Sequence, residues 1–396
     1  MAQPIYLVEG LRTPIGAFLG SLSDVPAPAL GARVISALVS QSGVSPSKVD
    51  QVIMGCVLSA GLGQAPARQA MRQAGLPDTT AALTINKVCG SGLMAVFLAR
   101  QAILAEEAEL VVAGGMENMS QAPYLLPGVR KGMKFGNQAL QDALIQDGLW
   151  DPYYQQHMGE ATEVCVSAAQ LSRQVQDDFA IESYRRARFA IESKAFEDEI
   201  VPIDTTQGRA NRPADYCQQD EQPFKDNLEK LASLKPAFVK PNGTITAGNA
   251  STLNDGAAAL LVASEKALAS YGLVAKAKIL ATATFSQDPQ QFATAPIGAI
   301  ERVLNKARLS VADIDLFEIN EAFAAVTLLA MQALDIPYDK VNVFGGAVSL
   351  GHPIGASGAR ILVTLMSALK QRNLKTGLAT LCIGGGEAVA IVIERV

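Results

Sequence analysis

The sequence predicts an α/β fold built from two similar units, and two observations indicate it. Short β-like runs alternate with helical patterns towards both ends of the chain, which is typical of helices packed on a sheet. The two ends also repeat one order of signals: an aspartate before a strand, Ser-Gly before a helix, and Gly-Gly after a later strand. A duplicated α/β unit accounts for both observations most simply.

The first unit is assigned from strand-sized apolar runs and from apolar residues at helical spacing. Asp50 opens the unit, Ser91-Gly92 begins a helix, and residues 111–115 close it. The predicted strands are residues 5–9, 52–55, 82–86 and 110–113, and the predicted helices are residues 29–41, 64–73 and 91–106.

The second unit follows the same scheme near the other end of the chain. Asp315 opens it, Ser357-Gly358 begins a helix, and residues 381–385 close it. The predicted strands are residues 316–320, 340–343, 379–383 and 388–394, and the predicted helices are residues 297–306, 321–334 and 356–370.

The middle of the chain differs from both ends, so we expect three parts. These are an N-terminal core domain (1–118, completed by about 251–270), a loop domain (119–250) and a C-terminal core domain (271–396). The middle part holds most of the tyrosines, prolines and charge, with an amphipathic helix at 172–194. Its lysines, such as Lys134 and Lys225, fit a solvated surface and the binding of an acidic ligand equally well.

Composition excludes several classes of function. The 396 residues carry a net charge of −5, which argues against a nucleic-acid partner, and no apolar run is long enough to span a membrane. Charged residues are only 18%, which suits a large core or an oligomer. The five cysteines lack CxxC spacing, so we expect neither disulfides nor a metal site. Without a basic leader, we expect a cytoplasmic protein.

Nucleotide chemistry is also unsupported by the motifs. No complete GxGxxG string occurs, so a dinucleotide fold is not indicated. Residues 346–351 have the glycine spacing of a phosphate loop, but His352-Pro353 stands where Lys-Ser/Thr would be needed.

Cys89 is the first candidate for chemistry. It follows a predicted strand and lies in Cys89-Gly-Ser-Gly92, which leads into a helix. A helix N-terminus favours a thiolate, and its free N–H groups can also receive an oxyanion. The alternative is a buried structural cysteine, because free cysteine is among the most buried residue types.

The second unit supplies possible partners for this cysteine. His352 lies in the glycine-rich run 345–355, just before a helix, and Cys382 ends a strand before three glycines. A lone histidine is more often structural. If the two units pack about a pseudo-twofold axis, however, Cys89, His352 and Cys382 converge on one site.

Taken together, these strings resemble the thiolases. They occur in the order of that family, and the resemblance extends from Ile5 to Glu394. The matching strings are Asn86-Lys-Val-Cys89-Gly-Ser-Gly92, Thr246-Ala-Gly-Asn-Ala-Ser251, Asn254-Asp-Gly256, Asn320-Glu-Ala-Phe323, Gly351-His-Pro-Ile-Gly-Ala-Ser-Gly358 and Cys382-Ile-Gly-Gly-Gly386.

The resemblance implies a fold and a set of catalytic roles. The fold is two five-stranded mixed sheets between helices in layers, with the middle segment as an inserted loop domain. Cys89 would be the acylated nucleophile, His352 its activator, and Cys382 the acid/base at the substrate α-carbon. Asn320 would hold a water that completes one oxyanion hole with His352, and the N–H groups of Cys89 and Gly384 would form another.

The resemblance also implies the substrates and the assembly. It is strongest to the short-chain branch, in which two acetyl-CoA condense reversibly to acetoacetyl-CoA and CoA through an acetyl-cysteine. No separate cofactor is expected, because the CoA thioester is the substrate, and a homotetramer formed as a dimer of dimers is expected. The expected substrate-binding residues are Leu149, His157, Met158, Ala247, Ser251, Ala322 and Phe323.

Several residues of the chain depart from the family pattern. Phe224, Phe344 and Glu387 stand where the family often has other residues. The change at Phe224 concerns the contacts expected with the nucleotide end of CoA.

A broad-range degradative 3-ketoacyl-CoA thiolase is the main alternative function. A decarboxylating ketoacyl synthase would use a second histidine instead of Cys382, and a non-catalytic lipid-binding relative would be expected to lose Cys89 or His352.

Overall fold

The structure is a computed structural model that describes residues 3–206, 215–225 and 228–396. Helices cover both faces of a large mixed sheet. The strands are β1 Ile5–Arg12, β2 Gly16–Ala17, β3 Gln51–Gly55, β4 Ala81–Ile85, β5 Leu110–Asn118, β6 Tyr124–Leu125, β7 Gln141–Asp142, β8 Trp150–Asp151, β9 Gln156–His157, β10 Ile203–Asp204, β11 Tyr216–Cys217, β12 Asn254–Ser264, β13 Ala277–Ser286, β14 Leu316–Ile319, β15 Thr376–Ile383 and β16 Glu387–Arg395.

Ten helices lie within these ranges. Two of them, α4 and α5, belong to the segment between β5 and β12. The helices are α1 Ala27–Ser42, α2 Pro66–Gln73, α3 Ser91–Leu104, α4 Met158–Ala168, α5 Arg173–Glu192, α6 Glu265–Tyr271, α7 Ala295–Ala307, α8 Ala324–Leu334, α9 Ala347–Leu350 and α10 Ile354–Gln371. None of those described is both long and apolar enough to cross a bilayer.

The strand order shows the predicted duplication. One half runs β4-β3-β5-β12-β1 and the other runs β14-β15-β16-β13. Each half begins with parallel strands, which are β4, β3 and β5 in one and β14 and β15 in the other, and two antiparallel strands follow. Pairing of residues 5–7 with 277–279 joins the halves into one hydrogen-bonded path.

The aspartates that open the two units, Asp50 and Asp315, accept equivalent hydrogen bonds. The side chain of Asp50 accepts hydrogen bonds from the N–H groups of Glu109 and Leu110, at 2.8 and 2.9 Å. The side chain of Asp315 accepts from Lys375 N and Thr376 N, at 2.9 and 2.8 Å. Each aspartate precedes one strand and fixes the first residues of the strand that pairs with it.

Helices α3 and α10 pack against each other between the two halves of the sheet, and α10 contacts strands of both. The Ser-Gly pairs of the repeat permit this approach. A Cβ at Gly92 would lie 2.8 Å from the Ala359 nitrogen, and one at Gly358 would lie 2.4 Å from the Leu93 nitrogen. Only glycine fits at either position, so these residues bring the N-terminal ends of the two helices, and the turns before them, together.

The predicted strand at residues 340–343 is wrong. A 3-10 turn ends at Lys340, and only isolated bridges occur at Val341 and Val343. Asn342 has a φ of 45°, and its side chain accepts from Ile319 N and donates to Ile319 O, both at 2.8 Å. The amide side chain thus replaces the ladder bonds that a continuing strand would make.

Strand β13 was not predicted. Its burial alternates along most of its length, because polar residues such as Lys278, Thr282 and Thr284 interrupt the apolar run. Strand β12 and helix α6 were not among the predicted elements either. The remaining predicted strands and helices of the two units each overlap an observed element, with ends that differ by a few residues.

Candidate active site

A cavity of about 540 Å³ opens where the middle segment covers the ends of the core strands. The residues that line it differ in exposed fraction, from 43% for Phe18 to 6% for His352. Ten of the twelve predicted site residues line it: Cys89, Leu149, His157, Met158, Ala247, Ser251, Ala322, Phe323, His352 and Gly384. Asn320 and Cys382 are fully buried and do not reach the wall.

Cys89 lies in the turn between β4 and α3, as predicted. Its own N–H and that of Gly384 both donate towards its sulfur. Burial nevertheless raises the pKa of the thiol to about 11, which outweighs the two N–H donors and is reinforced by the charge of Glu117. The N–H groups thus favour the thiolate, as expected, but burial has the larger effect on the pKa.

His352 lies in the loop before α10 with its two ring nitrogens in different surroundings. Nδ1 is 2.5 Å from the Ser357 hydroxyl, whereas Nε2 has no hydrogen-bond partner within the described residues. Burial lowers the pKa of His352 to about 4, with a smaller contribution from Arg360, so the imidazole is neutral at pH 7. A neutral ring with a free nitrogen can accept a proton from a thiol.

The backbone of His352 is fixed by Asn254. The Asn254 side chain accepts from His352 N at 3.0 Å and from the Thr252 hydroxyl at 2.8 Å, and it donates to Gly16 O at 2.9 Å. The amide of Asn254, the first residue of β12, therefore ties the histidine loop to Gly16 in β2 and to Thr252, which lines the cavity.

Asn320 and Glu321 follow strand β14. In the described part of the chain neither side-chain atom of Asn320 has a hydrogen-bond partner, although the residue is buried. Glu321 accepts from the Ser183 hydroxyl at 2.7 Å, Asn342 Nδ2 at 2.8 Å and Val348 N at 3.1 Å. These three hydrogen bonds fix the loop that follows β14. The Asn320 amide takes part in none of them, so it is available to another polar group.

Cys382 lies near the end of β15, directly before the glycine turn that carries Gly384. Burial raises the pKa of its thiol well above the ordinary range, and the neighbouring Cys89 raises it further. Met158 and Phe323, which line the cavity, belong to the same apolar cluster as Cys382. The second thiol therefore lies directly behind the cavity wall.

The segment 246–251 forms one side of the cavity and is held by polar contacts. Asn249 accepts from Thr246 N at 2.8 Å, and its Nδ2 donates to Asp177 at 2.9 Å. Ser251 N donates to Ala322 O at 3.0 Å. This backbone pairing joins the segment to the Asn320–Phe323 loop, which explains how two distant motifs share one wall.

Aromatic side chains form another part of the wall. Phe238 stacks on His157 with ring centroids 4.7 Å apart, and its edge meets Phe323 at 6.1 Å. His157 also caps α4, with its Nδ1 accepting from Gly159 N at 3.1 Å. Sequence reasoning left the role of Lys225 open between a solvated surface and ligand binding, and it did not assign Phe18, Gln222, Phe238 or Phe292 to the site. An aromatic residue in the otherwise polar stretch around Phe238 was the one available signal.

The three departures from the family pattern have different surroundings. Phe224 is half-exposed and does not line the cavity, whereas Lys225 beside it does. Phe344 is buried against Phe196, at 5.9 Å between centroids, away from the cavity. Glu387 forms an ion pair with Lys87.

The arrangement is compatible with acyl transfer to a cysteine. A thiol, a neutral histidine and two convergent N–H groups surround a cavity that admits an extended ligand, and the described residues contain no cluster able to hold a metal ion. Residues 5–266 match the family model "Thiolase, N-terminal domain", and residues 273–395 match "Thiolase, C-terminal domain". The chain belongs to the thiolase family.

Relatives of known name match along the whole chain. The acetyl-CoA acetyltransferase of Pseudomonas aeruginosa is 49% identical over 99% of this chain and all of its own. The crystal structure of the Bacillus anthracis acetyl-CoA acetyltransferase superposes with a TM-score of 0.96 at 41% identity, covering 100% of this chain and 99% of its own. An Ascaris suum thiolase in complex with coenzyme A gives 0.94 at 40% identity, with full coverage of both chains.

Proposed function

We propose that this protein is an acetyl-CoA C-acetyltransferase that interconverts two acetyl-CoA with acetoacetyl-CoA and CoA. The observation that carries the proposal is the arrangement at Cys89. Its sulfur receives the N–H groups of Cys89 and Gly384, and His352, whose buried Nε2 has no hydrogen-bond partner in the described residues, lines the same cavity. The acetyl-CoA acetyltransferase names of the full-length relatives support the same activity.

The first half-reaction would acetylate Cys89. His352 takes the thiol proton as the sulfur attacks the thioester carbonyl, and the two N–H groups receive the negative charge that develops on its oxygen. The C–S bond to CoA then breaks. The raised pKa of Cys382 keeps that thiol protonated, so it can donate the proton that the departing CoA sulfur requires.

The second half-reaction would form the carbon–carbon bond. Cys382, now a thiolate, removes a proton from the methyl carbon of a second acetyl-CoA, and the resulting enolate attacks the acetyl carbonyl on Cys89. The bond to Cys89 breaks, the sulfur recovers its proton from His352, and acetoacetyl-CoA leaves. Asn320, whose buried amide has no partner in the described residues, would stabilise the enolate oxygen through a water shared with His352.

We propose that this chemistry needs no metal and no redox cofactor, because every step is a nucleophilic substitution or a proton transfer by protein groups. Leu149, His157, Met158, Ala247, Ser251, Ala322 and Phe323 would hold the acyl and pantetheine parts of the substrate, since all of them line the cavity. A cytoplasmic location is proposed as well, which the five free cysteines support.

We propose a homotetramer from the exposed apolar residues of the middle segment. Tyr124, Val129, Phe135 and Leu140 are exposed within one stretch, and Phe135 is fully so. Exposed apolar patches can mark sites of protein–protein contact. Sedimentation of the purified protein tests the assembly, and a monomer at micromolar concentration would contradict it.

The activity is tested by mixing purified protein with acetoacetyl-CoA and CoA. The expected result is loss of acetoacetyl-CoA with formation of two acetyl-CoA for each one consumed. A Cys89→Ala variant of the same protein is the control, and absence of turnover by the wild type would contradict the proposal.

A further inference from the structure

The two turns that form the site come from different halves of the molecule. One carries Cys89 after β4, and the other carries Gly384 between β15 and β16. They are in direct contact, because a Cβ on Gly90 would lie 2.3 Å from the side chain of Ile383. The position of one turn relative to the other therefore decides whether the N–H groups of Cys89 and Gly384 point at the same atom.

One ion pair connects these two turns. Lys87 lies two residues before Cys89, and its ammonium contacts Glu387, the first residue of β16, across 300 residues of sequence. The other carboxylate oxygen of Glu387 accepts from the Ser286 hydroxyl at 3.1 Å. The backbone N–H of Lys87 donates to the Ser91 hydroxyl at 2.8 Å. The pair therefore links a fixed point of the nucleophile turn to a fixed point of the glycine turn.

The nucleophile turn is also strained. Val88, between Lys87 and Cys89, has a φ of 45°, a left-handed conformation that is sterically unfavourable for a β-branched residue. Such a conformation persists only where surrounding contacts hold it. The ion pair holds Lys87, the residue directly before Val88. It therefore restrains the turn next to its strained residue.

We propose that Lys87 and Glu387 are positioning residues, and that their ion pair holds the Cys89 turn and the Gly384 turn so that both N–H groups converge on the reacting oxygen. This inference rests on the proposed function and concerns the same site. It assigns a role to Glu387, one of the residues that departs from the family pattern.

A passive ion pair and a through-space electrostatic effect each predict a different result. Both side chains are partly exposed, at 25% and 34%, and an exposed ion pair often contributes little to stability. If the pair is passive, its removal leaves catalysis unchanged. If the charges instead act on the Cys89 thiol through space, removal shifts the pH at which the thiol ionises and leaves the maximal rate unchanged.

The test uses the full-length enzyme and the variants Glu387→Gln, Lys87→Met and the exchanged pair Lys87→Glu/Glu387→Lys. Glu394→Gln is the matched control, because Glu394 lies in the same strand and pairs with Lys375 at 2.5 Å, outside the cavity. The quantities measured are the rate of Cys89 acetylation across pH, kcat and KM for condensation, and the melting temperature.

Each single variant is expected to lower the acetylation rate and kcat by about tenfold, with KM within about twofold and the pH midpoint unchanged, as lost alignment predicts. The exchanged pair is expected to recover most of the rate, and the control to match the wild type. Single variants within twofold of the control, an exchanged pair without recovery, or a shifted pH midpoint at full maximal rate would overturn the inference. An inactive wild type would instead overturn the proposed function.

Discussion

The hydroxyl of Ser357 lies 2.5 Å from Nδ1 of His352 and donates its one hydrogen to the carbonyl oxygen of Pro353, 2.9 Å away. This geometry is compatible with an Nδ1 that carries the imidazole proton and donates it to the Ser357 oxygen, which is the tautomer that a base at Nε2 requires. This tautomer leaves the lone pair on Nε2, the nitrogen without a partner in the described residues. We therefore expect Ser357 to favour Nε2 as the nitrogen that acts as the base.

We expect Ser357→Ala to lower kcat by about tenfold, since a hydrogen bond of about 1.4 kcal/mol corresponds to that factor. KM should change little, because Ser357 does not line the cavity. Steady-state kinetics of condensation check this. Ser42→Ala is the control, because the Ser42 hydroxyl likewise donates to a backbone carbonyl, that of Val39 at 2.9 Å, but outside the site. Equal kinetics for the two variants would contradict the role of Ser357.

The raised pKa of Cys89 predicts how the free enzyme is alkylated. With a thiol pKa of about 11 and a His352 pKa of about 4, both groups are neutral between these values and the thiolate is scarce at pH 7. Alkylation of Cys89 by iodoacetamide should therefore rise by roughly tenfold per pH unit up to about pH 10. Peptide mass mapping of Cys89 measures this rate. A constant rate from pH 6 to 9 would show a thiolate–imidazolium pair instead.

Replacement of Cys382 should separate the two half-reactions. A serine hydroxyl can still donate a hydrogen bond to the departing CoA sulfur, but its pKa is too high for it to act as the base at the α-carbon. We expect Cys382→Ser to keep Cys89 acetylation within about tenfold of the wild type and to lose condensation by at least ~10³-fold. Equal loss of both steps would make Cys382 a structural residue.

The cavity wall predicts a preference for short acyl chains. Met158 and Phe323 lie beside Cys382, and the Met158 sulfur would lie 3.3 Å from a Cβ on Gly384, so these side chains fill the space next to the reacting atoms. Each excluded methylene forfeits about 0.8 kcal/mol of burial. Acetoacetyl-CoA should therefore be a far better thiolysis substrate than 3-ketohexadecanoyl-CoA.

Assays on 3-ketoacyl-CoAs of four, eight and sixteen carbons check this preference. Met158→Ala is expected to raise kcat/KM for the eight-carbon substrate relative to acetoacetyl-CoA. Comparable kcat/KM at four and sixteen carbons in the wild type would favour the broad-range degradative thiolase over the acetyl-specific enzyme.

Sequence reasoning located features that depend on local pattern. The Ser-Gly pairs and the aspartates of the two units predicted the duplication, because each acts through contacts that its own unit repeats. The motif strings also placed Cys89, His352 and Gly384 at one cavity. Their catalytic roles stay predictions until they are measured.

Other features depend on distant parts of the chain, and sequence pattern could not show them. The Lys87–Glu387 pair spans 300 residues, and nothing near either residue identifies its partner. The pKa of Cys89 depends on burial as well as on the helix N-terminus, and the extent of that burial cannot be found from the local pattern alone. Strand β13 was missed because its polar residues alternate with buried ones.

The central claim is that Cys89 carries the acetyl group between the two half-reactions. Incubation of the purified protein with acetyl-CoA, followed by intact mass spectrometry and peptide mapping, tests it most directly. We predict one acetyl group per chain on the peptide containing Cys89, its loss on addition of CoA, and no acetylation of Cys89→Ala. An acetyl group that persists in that variant, or a wild type that remains unmodified while it turns over acetoacetyl-CoA, would contradict the account.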